Sequence, residues 1–306
     1  MRPELARDLR GVLLAGVNSD GGWGYYSGKA SRLEPTCWAL LALLEDRRPE
    51  DEAVVDAGLR LLGRWQRADG LLAEPPLPPN LAFNGLASLL LTSIRSSAFS
   101  AVAPTAVEAQ LLKGILAVEA RTLGTLAMLL RPANPQDDSL VGWPWTQDGF
   151  GWVEPAAWCL LAVKKGSETR DRHVAWRIGQ AESLLFNRQC VSGGWNAGNA
   201  EALGQALNAY VPTTAVALLS LQDRRNSTSV KRAQGYLLES WRREPAGLAL
   251  GLSLLAFRVG GLPTADVEAA LADVGIRTGF LGNLAVVGLA HYALVSGTNG
   301  PHAFTL

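Results

Sequence analysis

An excess of charge of either sign is missing from this chain. Its 306 residues carry 28 Lys and Arg against 28 Asp and Glu. No basic field of the kind that holds nucleic acid is present, and no acidic tail for a basic partner. Histidine is scarce: His173, His291 and His302 stand at no metal-ligand spacing. The three cysteines, Cys37, Cys159 and Cys190, form neither a disulfide framework nor a metal motif. Cys37 and Cys159 sit in apolar runs, where a free thiol behaves as a small buried hydrophobe, so a reducing compartment is expected. No run of about twenty apolar residues exists. The nearest, Leu281–Val295, is shorter and holds Asn283 and His291. The opening MRPELARDLRGVLLAGV interleaves charges with apolar residues and lacks a small-residue cleavage site, so it does not read as a signal peptide. The expectation is a soluble cytoplasmic protein with no metal, no cofactor and no transmembrane segment.

What is present is a repeat. Residues 136–163, QDDSLVGWPWTQDGFGWVEPAAWCLLAV, join a polar turn, a Gly/Trp-rich loop and Glu-Pro opening an apolar helix. Asp20–Leu44 and Gln189–Leu221 are further copies. With 48% hydrophobic and 18% charged residues the chain can bury a large interior, and stacked repeats can close it as one domain over 1–306.

Leu5, Leu9, Val12, Leu13 and Val17 follow helical spacing, and the glycines of Asp20–Gly24 end that helix. Pro35 then opens an apolar helix through Leu44, Pro being suited to a first turn whose N–H groups are unpaired anyway. The same alternation recurs. Val55–Trp65 precedes Leu81–Ile94; Pro104–Leu130 precedes Pro155–Val163; Val174–Leu185 precedes Thr213–Leu221. Val230–Trp241 precedes Leu248–Phe257, and Ala265–Val274 precedes Phe280–Val295. In each pair the first helix is amphipathic and the second apolar all round, hence buried on every side. That pattern predicts an all-α (α/α)6 barrel, or toroid, of six helical hairpins with an inner apolar and an outer amphipathic ring. A linear superhelix of hairpins is the alternative.

The string GGW, a short loop, then Glu34-Pro-Thr-Cys-Trp38-Ala-Leu-Leu-Ala-Leu resembles the prenyltransferase/squalene-cyclase repeat. Ala181–Trp195, with Leu184, Leu185, Gln189, Gly193, Gly194 and Trp195, resembles the QW motif of triterpene cyclases. The resemblance implies a terpenoid-cyclase-like toroid, with Gln and Trp tying the outer helix to the next turn. It implies isoprenoid binding or cyclisation as a function. Class II cyclases protonate an alkene with a D-x-D-D acid. Here Pro135 replaces the first Asp, leaving Asp137 and Asp138 as the candidate catalytic pair, against the plain reading of a solvated turn. The zinc ligands that protein prenyltransferases carry after the Gly-Gly-aromatic loop are absent after Trp195.

Of the ten tryptophans, Trp23, Trp38, Trp143, Trp145, Trp152, Trp158 and Trp195 cluster, most of them in the loops before the inner helices or in their first turn. Trp23, Tyr25, Trp38, Trp143, Trp145, Trp152, Trp158 and Tyr210 are candidate ligand-binding residues, gathering at one barrel mouth if the inner helices run parallel. Aromatic faces bury isoprenoid chains and stabilise cations. Glu34 and Glu154 occupy equivalent positions at two inner-helix starts; they are the acids a glycosidase of this architecture would use, or helix-start chemistry used twice. His291 is a further candidate, as a polar group on an apolar helix. A non-catalytic repeat protein that binds a protein partner is the alternative to an enzyme.

Overall fold

The computed structural model describes residues 3–95, 105–122, 136–296 and 302–306. Its twelve described helices are α1 (Pro3–Ala15), α2 (Leu33–Asp46), α3 (Glu52–Arg64), α4 (Leu81–Arg95), α5 (Thr105–Ala117) and α6 (Val153–Gly166). They continue with α7 (Arg172–Asn187), α8 (Val211–Ser220), α9 (Thr228–Ser240), α10 (Gly247–Gly260), α11 (Ala265–Thr278) and α12 (Leu284–Val295). The even-numbered helices pack in the order α2–α4–α6–α8–α10–α12, and α12 closes onto α2. The odd-numbered helices lie outside, each on the inner helix before it in the chain, with α1 resting on α12. The (α/α)6 toroid follows. A two-residue hairpin, Glu201–Ala202 with Gln205–Ala206, decorates the loop before α8.

Two glycines set the closeness of the inner ring. A Cβ at Gly85 would stand 2.7 Å from the Trp158 backbone, and one at Gly288 would stand 2.8 Å from that of Trp38. These contacts let α4 press on α6 and α12 on α2, holding Trp38 and Trp158 where they face the barrel axis.

Three expected boundaries differ. The run Pro104–Leu130 is helical only over α5; Val118–Arg121 is not helical, and Arg121 pairs with Phe150 in a β-bridge. Residues 123–130 lie outside the described residues. The last inner helix begins at Leu284 rather than Phe280, because Phe280 and Leu281 adopt left-handed φ of 52° and 55°, and Asn283 caps the helix through Ala285 and Val286 N–H. Pro35 stands two residues inside α2, still within the turn whose N–H groups need no helical acceptor.

The barrel is filled from the end where the inner helices finish. Residues His302–Leu306 enter there, and Phe304 reaches the axis, fully buried. Its ring lies 5.6 Å from Trp38, 5.7 Å from Trp158 and 5.4 Å from Tyr292, centroid to centroid. The segment is held by Gln222 Nε2 donating to Phe304 O at 2.8 Å, Ala303 N donating to Tyr292 Oη at 3.0 Å and the Lys165 ammonium donating to Thr305 O. Phe304→Ala is expected to cost about 3–5 kcal/mol of stability, as a large-to-small core change does, read by guanidinium unfolding.

His291 faces α1 rather than the axis. It is fully buried, its imidazole nitrogens make no hydrogen bond within normal limits, and Asp46 Oδ2 stands 3.8 Å from Nε2. Burial lowers its pKa from 6.5 to about 4, with Asp46 opposing and Arg10 and Arg48 assisting the shift. The folded state therefore resists protonation that the unfolded chain accepts. Stability is complete above about pH 6.5 and declines as pH falls toward 4, by on the order of 3 kcal/mol. His302, also lowered to about 4 by burial, acts in the same direction. His291→Leu is expected to remove roughly half of the acid sensitivity between pH 7 and pH 5, measured by denaturant midpoints.

Candidate active site at the barrel mouth

Each Gly/Trp loop is built the same way. Trp23, Trp143 and Trp195 donate their indole N–H to Leu13 O, Ile115 O and Leu185 O, at 2.6–2.8 Å, tying the loop to the end of an outer helix. Their carbonyls accept from Arg32, Trp152 and Tyr210, the residues just before α2, α6 and α8. Gln189 Nε2 bridges Gly193 O and Ser229 O, and Gln66 Nε2 bridges Gly70 O and Val107 O. Trp23 and Trp143 have no exposed surface. They are loop staples and do not line the mouth, a correction to their expected placement.

The mouth lies at the start of the inner helices. Glu34 and Glu154 occupy the second position of α2 and α6, each partly exposed. One turn deeper, Trp38 and Trp158 meet edge-on at 6.1 Å above Phe304. Tyr25 Oη donates to Glu34 Oε2 at 2.6 Å, and Arg32 stacks over the Tyr25 ring while its Nε donates to Glu74 at 2.8 Å. Trp152, Tyr210 and, partly, Trp145 remain exposed.

The two acids differ. Burial raises Glu154 to about pKa 7; the charge of Glu34 adds to the rise, and only a hydrogen bond from Trp158 opposes it. Burial also raises Glu34, but the Tyr25 hydroxyl and the Arg32 charge favour its anion. Near neutral pH Glu154 therefore holds a proton loosely. A carboxyl whose pKa is brought near neutrality is what general acid catalysis uses.

Asp137 accepts from Ser139 and its N–H donates to Asn187 Oδ1, while Asp138 lies 3.4 Å from Arg188 Nη2, so both sit by the C-terminal end of outer helix α7, where Asp138 lines a cavity with Trp152. His291 is near Asp46 at the finish of α2, about 18 Å along the helix from Glu34 at 1.5 Å per residue. Among the described residues no group of three or more His, Cys, Asp or Glu is placed to hold a metal, and no helix is long and apolar enough to cross a membrane. Glu74 was missed by sequence reading. Its carboxylate accepts from Arg32 and from Leu33 N–H at the start of α2, a long-range contact that no local pattern announces.

No protein-family model matches the chain, and no curated protein matches it in sequence. Solved structures do match over nearly full length. The GH76A α-1,6-mannanase of Salegentibacter sp. HEL1_6 gives TM-score 0.64 at 13% identity, covering 96% of this chain and 99% of that one. A novel α-amylase from Clostridium perfringens gives 0.65 at 8%, covering 94% and 97%. The type II terpene cyclase MstE from Scytonema gives 0.57 at 15%, covering 96% and 97%. At these identities the likeness establishes the (α/α)6 toroid, shared by glycoside hydrolases and a terpene cyclase, and no more.

A raised carboxyl pKa is a folded state that binds a proton the unfolded chain would release. Stability from Glu154 is thus present below about pH 4.5 and lost as pH rises through 7. Glu154→Gln is expected to be more stable than the parent at pH 8, by on the order of 2–3 kcal/mol, with little difference at pH 4.5, read by chemical denaturation.

Proposed function

We propose that this chain is a carbohydrate-acting toroid, a glycoside hydrolase in reaction type, with Glu154 as general acid and Glu34 as the ionised partner that activates water or attacks the sugar carbon. One observation carries this reading: two carboxyls at the same position of two inner helices, one of them raised to about pKa 7, above an aromatic floor of Trp38 and Trp158. Glycoside cleavage needs one protonated and one ionised carboxyl about the scissile bond. The exposed Trp152 and Tyr210 offer faces on which a sugar ring stacks. Support comes also from the sugar hydrolases among the structural relatives, one of which, the mannanase, was solved in an inactive form with α-1,6-mannotriose. The reaction is placed in a soluble, cytoplasmic protein of one domain.

A second reading, isoprenoid binding or cyclisation, is supported by the axial rings Trp38, Trp158 and Tyr292 and by the likeness to MstE. It requires Phe304 to leave the axis, and it gives the acid role to Asp137 or Asp138. A non-catalytic partner-binding toroid is the reading left if neither activity exists.

Incubation with α-1,6-manno-, α-gluco- and xylo-oligosaccharides, with detection of new reducing ends, tests the first reading. Hydrolysis is expected to fall by about 10²–10⁴-fold, the usual worth of a general acid, in Glu154→Gln. A comparable loss is expected in Glu34→Gln, and none in the doubly substituted D137N/D138N chain. Full hydrolysis by both Glu variants would overturn the assignment. Isoprenoid recovered by mass spectrometry of an organic extract, together with inactivity on every glycan, would favour the second.

A further inference from the structure

The repeat itself shows which side chains at the mouth the fold does not need. Two residues after each staple tryptophan stand Tyr25, Trp145 and Ala197. Each gives its carbonyl to the first amide of an inner helix: Tyr25 O takes Leu284 N–H, Trp145 O takes Leu81 N–H and Ala197 O takes Val153 N–H, all at 2.8–2.9 Å. One backbone duty is thus carried by a phenol, an indole and a methyl group. The duty asks nothing of the side chain beyond Cβ, so the Tyr25 hydroxyl is an addition to the repeat. The residue before the helix varies in the same way. Arg32, Trp152 and Tyr210 each donate a backbone N–H to a staple carbonyl, and the Arg32 guanidinium is again an addition.

The two additions converge on Glu34. Tyr25 Oη donates to Glu34 Oε2 at 2.6 Å. Burial, and then the charge of Glu34, push the phenol above its ordinary value, so it keeps its proton and stays a donor. The last torsion of a Glu side chain is broad and roughly two-fold, so a carboxylate plane turns unless one oxygen is held. Among the described residues no other hydrogen bond reaches this carboxylate, and Oε1 stays free. The phenol ring is held in its turn. Arg32 Cζ lies 5.9 Å from its centroid, a cation over an aromatic face. Arg32 Nε donates to Glu74 Oε1 at 2.8 Å, and the same oxygen takes Leu33 N–H at 3.4 Å. The Glu74 side chain is only 11% exposed, a firm anchor in the loop of the next unit. The corresponding residues at Glu154, Trp145 and Trp152, give its carboxyl no hydrogen bond. Glu34 alone is braced in this way, as suits an oxygen that must meet the sugar carbon or water in a set direction.

We infer that Tyr25 is a positioning residue of the hydrolytic site: its hydroxyl fixes Oε2 of Glu34 and leaves Oε1 for the sugar carbon or the attacking water, with Arg32 on Glu74 holding the phenol ring. The inference rests on the sugar-hydrolase reading.

Steady-state hydrolysis by the full chain and by Tyr25→Phe, followed across pH, tests it on whichever of the manno-, gluco- or xylo-oligosaccharides the parent cleaves. Phe keeps the ring and the backbone carbonyl and removes only the hydroxyl. The rate constant kcat is expected to fall roughly 10–100-fold, the worth of a lost hydrogen bond to a charged group, with KM little changed. The lost bond favoured the Glu34 anion, so the acidic limb of kcat/KM is expected to move to higher pH. Glu74→Gln keeps an oxygen for Leu33 N–H and loses the charge that anchors Arg32. It is expected to lower kcat several-fold in the parent and to add little in Tyr25→Phe. A parent chain that cleaves no glycan would sink the sugar-hydrolase reading and this role with it. Cleavage by the parent with kcat unchanged in Tyr25→Phe would sink the role alone. So would a lowered kcat with the acidic limb unmoved, the mark of a packing effect, or equal losses from Glu74→Gln in both backgrounds.

Discussion

The structure depends on one recurring bond: the first amide of an inner helix is handed to the loop of the next hairpin. A helix start leaves N–H groups without intrahelical acceptors, and inside a protein they must find partners. Here Leu33 N–H is taken by Glu74, Leu81 by Trp145 O, Val153 by Ala197 O and Val211 by Glu244, each acceptor belonging to the loop of the following unit. The last unit does the same, since Leu284 N–H is taken by Tyr25 O of the first. Local repeats alone would make an open stack. This transfer, with α12 packed on α2, closes the stack into a ring and draws the loops together around one mouth.

That placement decides the chemistry of Glu34 and Glu154. Both sit where the helix macrodipole favours negative charge, an effect of about 0.3–1 kcal/mol and at most about 2. Glu154 is nonetheless raised from 4.5 to about 7, a net penalty on its anion of about 3 kcal/mol. Burial and the neighbouring Glu34 outweigh the dipole. The two acids stand at equivalent helix positions and differ because Tyr25 and Arg32 serve only Glu34. Repetition supplies two carboxyls, and the departures from repetition give them different surroundings.

The tryptophans divide by the same logic. Trp23, Trp143 and Trp195 are equivalent loop staples, each spending its N–H on an outer-helix carbonyl. Trp38 and Trp158 are equivalent axial residues, brought together because glycines let the inner helices approach. A toroid of this kind carries unrelated activities, so its likeness to hydrolases and to a cyclase leaves the reaction to be argued from the site.

The alternation of amphipathic and apolar helices, the Gly/Trp loops and the bridging glutamines were legible in the chain, because each is a local pattern with a local cause. The toroid follows from those patterns, and so does the equivalence of Glu34 with Glu154. Other features needed contacts across the fold. Phe280 and Leu281 looked helical by composition, but the turn onto α12 puts them in left-handed backbone. His291, a polar group on an apolar helix by sequence, is covered by α1 and faces Asp46, and Asp137 and Asp138 prove to contact the end of α7. The bonds that Phe304 makes to Gln222 and Glu74 to Leu33 join positions 82 and 41 residues apart, beyond any periodicity. The sequence by itself determined which helices form and which faces they bury, since hydrophobic spacing acts within a few turns. Only tertiary structure decided which polar groups meet at the mouth, what fills the axis and how far Glu154 is raised, because burial and charge proximity belong to the assembled ring.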